Sequence, residues 1–158
     1  MSGAANIVGR RFPSVAGRAL SGEVVRFPED LAGAPALLLC AYRRGTQDDV
    51  DRWAAFAARR LPGLAVYELP IISSRVWRPL QGWIDGGMRG GVPPGLWAHV
   101  VTLYEDGGRA RAFIGDGGGW RTQVVLLDAA GSVAFHDDGG FSEEAADRLA
   151  AAATALER

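Results

Sequence analysis

The sequence predicts an α/β fold with a mixed sheet and helices on both of its faces. Three observations carry this. Residues 35–42, Pro-Ala-Leu-Leu-Leu-Cys-Ala-Tyr, form an almost unbroken apolar run, as expected of a strand covered on both sides. A helical pattern and a second apolar run follow directly, which makes a βαβ unit with a right-handed crossover. Near the end, two β-like runs joined across a glycine-bearing turn lead into a capped amphipathic segment, a closing ββα unit.

The elements follow in order. Residues 1–19 read as an irregular lead-in, with Phe12-Pro13 as a turn or edge. Residues 23–27, Glu-Val-Val-Arg-Phe, alternate as a short strand, and 28–33 as a turn or one helical turn. After the strand at 35–42, Thr46 is placed to cap a helix with Asp48 and Asp49 in its first turn and Arg59-Arg60 in its last. Val50, Trp53, Ala54, Ala57 and Leu61 recur at helical spacing, and Pro62-Gly63 ends the helix. Residues 64–71 form the second inner strand. Residues 75–88 carry a helical pattern, and 86–95, rich in Gly and Pro, form a loose connection. A third strand is expected at 98–104, a short helix at 107–115, and strands at 120–127 and 132–136 joined through Asp128-Ala129-Ala130-Gly131. Ser142, followed by Glu143 and Glu144, caps the last helix, which turns Ala145, Leu149, Ala152 and Leu156 inward.

Bulk properties narrow the function. A chain of 158 residues favours one domain spanning 1–158. The formal net charge of −1 gives no electrostatic reason to expect nucleic acid or an anionic membrane as partner. All 17 basic residues are Arg, so no Schiff-base lysine and no phosphate-loop lysine exists in the chain. One cysteine cannot form an internal disulfide. The first residues lack a basic segment followed by an apolar run, and the longest apolar run, 34–42, is too short for a membrane span. A cytoplasmic location is expected. No metal site and no cofactor are expected, because His99 and His136 are isolated and Gly115-Asp116-Gly117-Gly118-Gly119 lacks the strand–turn–helix setting of a dinucleotide loop.

Order and particular residues together resemble the thioredoxin-like superfamily. The matching pieces are Phe12-Pro13 with Gly17-x-x-Leu20-Ser21-Gly22, then Gly33-x-Pro35-Ala36-Leu37-Leu38-Leu39, then Asp48-Asp49-Val50-Asp51-Arg52-Trp53. Thr122-Gln123-Val124-Val125-Leu126-Leu127-Asp128-x-x-Gly131 and Phe141-Ser142-x-Glu144 complete them. The branch that looks nearest is that of the peroxiredoxin and thiol-oxidoreductase domains with their cysteine-poor bacterial relatives. These relatives include proteins similar to the mitochondrial ATP synthase assembly factor of thioredoxin fold. The resemblance implies a three-layer α/β/α sandwich with a mixed central sheet and an N-terminal strand extension. It also implies that a reactive cysteine would stand in the turn after the first inner strand. Arg43, Arg44, Gly45, Thr46 and Gln47 stand there instead, and Thr122 occupies the position that matches the cis-proline of redox relatives.

Four groups of residues are candidates for function. Cys40 is either a displaced peroxidatic or sensor thiol, or a small core residue whose burial suppresses the thiolate. Arg43 and Arg44 with the Thr46 helix start either receive a carboxylate or phosphate, or pair locally with Asp48, Asp49 or Asp51, or point to water. Trp77, Trp83, Trp97 and Trp120 either line a pocket or contact patch, or cover the edges of a small core. Thr122 faces the same turn by resemblance. The reading that follows is a non-redox binding or assembly module whose partner is another protein or a small anionic ligand, as monomer or homodimer. The alternatives are a one-cysteine peroxidase or oxidoreductase using Cys40, and an anion- or metabolite-binding domain at Arg43 and Arg44.

Overall fold

The computed structural model describes residues 6–71, 98–115 and 121–157. The expected helix at 75–88, the loop at 86–95, and Trp77, Trp83, Trp97 and Trp120 lie outside the described residues.

The apolar run forms strand β3 (Ala36–Ala41), with five of its six residues buried. It continues through a 3₁₀ turn at Arg44–Thr46 into helix α1 (Gln47–Arg60) and returns as β4 (Ala65–Pro70). β3 and β4 pair in parallel from Ala36–Ala65 to Ala41–Pro70, which closes the expected βαβ unit. β6 (Gln123–Leu127) pairs antiparallel with β3, and β7 (Val133–Asp137) antiparallel with β6. The sheet order is β4-β3-β6-β7, mixed as expected.

The turn between β6 and β7 rests on chemistry that the sequence announces. Asp128 Oδ1 accepts from the backbone N–H of Ala130 at 2.9 Å and of Ser132 at 3.0 Å. Gly131 takes φ +89°, and a Cβ there would meet the Pro28 ring at 2.7 Å.

Residues near the start are more regular than the sequence suggests. β1 (Val15–Ala19) lies inside the expected irregular lead-in and pairs antiparallel with β2 (Val24–Phe27) and β5 (Val101–Thr102). Its inward positions are Val15, Gly17 and Ala19, two of them too small to register as strand formers. Gly17 is required by close approach: a Cβ would sit 2.6 Å from Leu103, 2.7 Å from Val101 and 2.8 Å from the Thr102 carbonyl oxygen. The third expected strand is shorter than 98–104. β5 keeps two residues, flanked by parallel bridges Glu68–Val100 and Ile71–Leu103 that tie the two sheets together. β2 ends the smaller sheet, and Asp30 Oδ2 accepts from the Arg26 N–H at 2.8 Å, blunting that edge.

Alternation in β3 and β6 divides the core. Leu37, Leu39, Val124 and Leu126 face α1 and α3 (Glu143–Leu156) and pack on Trp53, Phe56, Ala146 and Leu149. Leu38, Cys40, Val125 and Leu127 face the other way, toward Phe12, Phe27, Leu103 and α2 (Gly107–Ile114). Each fully buried Leu or Ile contributes roughly 1.5–3 kcal/mol of transfer free energy, so both faces are needed to hold the sheet. The layers are helix, sheet and helix, with the β1–β2 hairpin beside α2. Among the described residues no helix is long and apolar enough to cross a membrane.

Candidate functional site

The site that the sequence singles out is the passage from β3 into α1, together with Thr122 opposite it. Cys40 lies one residue before the end of β3, between Leu69 of β4 and Gln123 of β6. It is 0% exposed and belongs to the cluster on the α2 side of the sheet, the face away from α1. Its side chain thus packs on the sheet face that α1 does not cover, not at the helix N-terminus where a thiolate would be favoured. Burial pushes its thiol pKa up to about 12.

The turn itself holds no sulfur. Thr46 is buried, and its N–H donates to the Arg43 carbonyl at 3.1 Å. It stands at the N-cap of α1 as expected, but its side chain makes no cap hydrogen bond there. The reason is local geometry. Thr46 has helical φ/ψ (−79°, −10°) as the last residue of the 3₁₀ turn, whereas a capping hydroxyl needs an extended backbone. Ser142 at the start of α3 has that extended backbone (−148°, 158°), and its side chain accepts from the Ala145 N–H at 3.0 Å. Arg43 is exposed on the turn. The Arg44 side chain lies outside what is described.

Asp49 does what sequence reasoning missed. Its sequence position suggests the helix dipole or a local pairing with Arg43 or Arg44. Instead it reaches from the first turn of α1 to two other segments. Oδ2 accepts from the Thr122 N–H at 3.0 Å and from the Thr122 hydroxyl at 2.5 Å; Oδ1 accepts from the Phe141 N–H at 2.8 Å. Partial burial pushes its carboxyl pKa up, but the Thr122 and Phe141 hydrogen bonds and the Arg52 charge outweigh this and hold it below the usual carboxylate range. Thr122 is fully buried, so this expected binding residue is committed to Asp49. The only sequence signal was a second acid in the first turn, which dipole arguments explain without any partner.

Beside this clamp, Gln47 Nε2 donates to Asp51 Oδ1 at 2.8 Å and to Glu68 Oε1 at 3.2 Å. Burial pushes the Glu68 carboxyl up; the Gln47 bond opposes this and the nearby Asp51 charge adds to it. Across the sheet, His136 Nε2–H donates to Gln123 Oε1 at 2.9 Å. Burial pushes the His136 pKa down, against the fields of Asp138 and Asp137. His136 is thus a half-buried partner of Gln123 and not only the end of a hairpin. His99 stacks on Tyr67 at 4.7 Å and donates from Nδ1 to the Val66 carbonyl at 3.0 Å. Among the described residues no group of three His, Cys, Asp or Glu is placed to hold a metal.

Solved structures supply the decisive comparison. An uncharacterised conserved protein from Geobacillus kaustophilus superposes with a TM-score of 0.65 at 16% identity, over 97% of this chain and 84% of that one. A putative protein disulfide isomerase from Bacteroides thetaiotaomicron gives 0.63 at 15%, over 100% and 96%. The fold is thioredoxin-like. Copper-bound yeast Sco1 shares it as well, at 0.61 and 10% identity, over 92% and 91%. No family model and no curated protein matches the sequence. Within this thioredoxin-like frame, the residues that join β3 to α1 are Tyr42, Arg43, Arg44, Gly45 and Thr46.

Proposed function

We propose that this thioredoxin-like domain is a binding or assembly module that runs no thiol redox cycle. The carrying observation is the placement of Cys40: fully buried, on the sheet face away from α1, with burial pushing its pKa to about 12. At neutral pH a thiol pushed that far up stays protonated, and attack on a peroxide or a disulfide needs the thiolate. The Asp49 clamp supports the same reading. It ties the first turn of α1, which follows the exposed Arg43 turn in the chain, to Thr122 and Phe141, and binding groups are best held on tied elements. The partner under this reading is another protein, met in the cytoplasm by the 43–46 turn.

The test separates sulfur from surface. Purified wild type and Cys40→Ser are compared for hydroperoxide and disulfide reduction and for recovery of partner protein from native lysate. The reading expects no turnover above the buffer rate for either, equal partner recovery by both, and loss of recovery in Arg43→Glu. Enzymatic turnover in wild type that Cys40→Ser abolishes would overturn it, as would partner recovery that follows Cys40 and ignores Arg43.

A further inference from the structure

α2 presents a surface that the reading above does not explain. Its solvent crest consists of Gly108 and Ala112, one helical turn apart, and the space over Gly108 is open. Arginines stand on both flanks of this low crest. On one flank Arg109 and Phe113 are again a turn apart, and the Arg10 guanidinium lies 5.0 Å over the Phe113 ring. Phe113 is fixed from beneath by Phe12, edge to face at 5.5 Å, and Arg109 is tethered by a 2.7 Å bond from its Nη1 to the Ser14 carbonyl. On the other flank the Arg111 guanidinium lies 4.4 Å over the Tyr42 ring. Tyr42 is itself held by a 2.6 Å bond from its hydroxyl to the Gly115 carbonyl, and the exposed Arg43 follows it.

Two properties follow. A guanidinium resting on a fixed ring has already lost much of its rotamer freedom, so ordering it around an incoming anion costs little more. The charge is also one-sided. In segments 10–14 and 105–115 the acids are Glu105 and Asp106, and Asp106 already accepts from the Ala16 N–H at 2.8 Å, with Arg109 4.0 Å away. The helices on the far side of the sheet differ, since α3 opens with Glu143 and Glu144 and pairs Asp147 with Arg60.

We infer that the α2 crest is a docking strip for an acidic peptide segment, laid along Gly108 and Ala112 with its carboxylates meeting Arg10 and Arg109 on one side and Arg111 on the other. The crest is smooth enough for a backbone to approach, and guanidinium forks match carboxylates in shape. The chain's net charge of −1 disfavours a long polyanion such as nucleic acid, which would meet the acidic remainder of the surface. This inference rests on the binding-module reading and names the partner's chemistry.

The experiment is fluorescence anisotropy with a labelled twelve-residue glutamate-rich peptide, and separately with labelled single-stranded DNA, at low and physiological salt. Wild type binds the peptide, and binding weakens as salt rises. Arg10→Gln/Arg111→Gln weakens it at least tenfold, while Arg59→Gln/Arg148→Gln on the other face binds as wild type. Far-UV circular dichroism and an unchanged melting temperature confirm that both variants are folded. Failure of wild type to bind the peptide, equal binding by the α2 variant, or binding of DNA in preference to peptide would each overturn the inference. If the α2 variant binds equally while Cys40→Ser still recovers partner protein, only the strip is wrong. If Cys40→Ser abolishes a turnover, the binding-module reading itself is wrong.

Discussion

Asp49→Ala lowers the stability of the domain by about 3 kcal/mol, the cost of leaving the buried donors of Thr122 and the Phe141 N–H without their charged acceptor. The loss reaches beyond energy. Asp49 holds the start of α1 against the approach to β6 and the approach to α3, so its removal loosens three segments at once. Asn at the same position costs less, because its one carbonyl oxygen still serves one of the two segments. The pH dependence has a definite sign. The folded pKa of Asp49 lies below its ordinary value of 3.8, so its contribution is complete above that value and is lost as pH falls through the depressed one. Urea melts at pH 7 measure the alanine cost. A series from pH 6 down to pH 2.5 shows wild type converging on Asp49→Ala at the acid end. An alanine variant as stable as wild type at pH 7 would refute the clamp.

Gly17→Ala costs a similar amount, about 3 kcal/mol, for a different reason. The new methyl would meet Leu103 and Val101 side chains and, at 2.8 Å, the Thr102 carbonyl oxygen. Side chains can turn aside, but a backbone oxygen moves only if β5 moves away from β1. The pairing between them is short, Arg18–Thr102 and Ala19–Val101, and has little to spare. The melting temperature should fall by roughly 6–12 °C, and the amides of β1 and β5 should lose hydrogen-exchange protection before those of β3 and β6. Protection lost evenly across both sheets would show that the close approach is not where the strain falls.

How far the sequence reveals this molecule depends on how local each signal is. β3, α1 and β4 are legible because their patterns are self-contained: a closed apolar run, a helical stripe with complementary charges, and a second run. α3 is legible for the same reason, and its Ser142 cap is met in detail. β1 is hidden because glycine and alanine occupy two of its inward positions, where strand propensity is silent and closeness to β5 is the real constraint. Thr46 misleads because residue type suggests a cap, whereas the preceding 3₁₀ turn sets its backbone.

The candidate site divides along the same line. The vacancy of sulfur in the 43–47 turn is plain in the sequence. The side of the sheet that Cys40 faces follows from its alternation with Leu39, once α1 is known to cover the Leu37 and Leu39 face. The Asp49 bonds to Thr122 and Phe141 span 73 and 92 residues, and no local pattern reports a contact of that range. The same holds for Arg10 over Phe113 and Arg111 over Tyr42, where each arginine alone reads as a solvated charge.

The account stands on the placement of one sulfur, and titration of the native protein with a thiol-specific disulfide reagent reaches it most directly. At pH 7.5 the folded chain should release almost no chromophore over an hour, while the same sample in 6 M guanidinium should release one equivalent per chain within minutes, because unfolding returns Cys40 to an ordinary thiol. A full equivalent released by the folded protein as fast as by the unfolded one would place the sulfur in solvent and contradict the account.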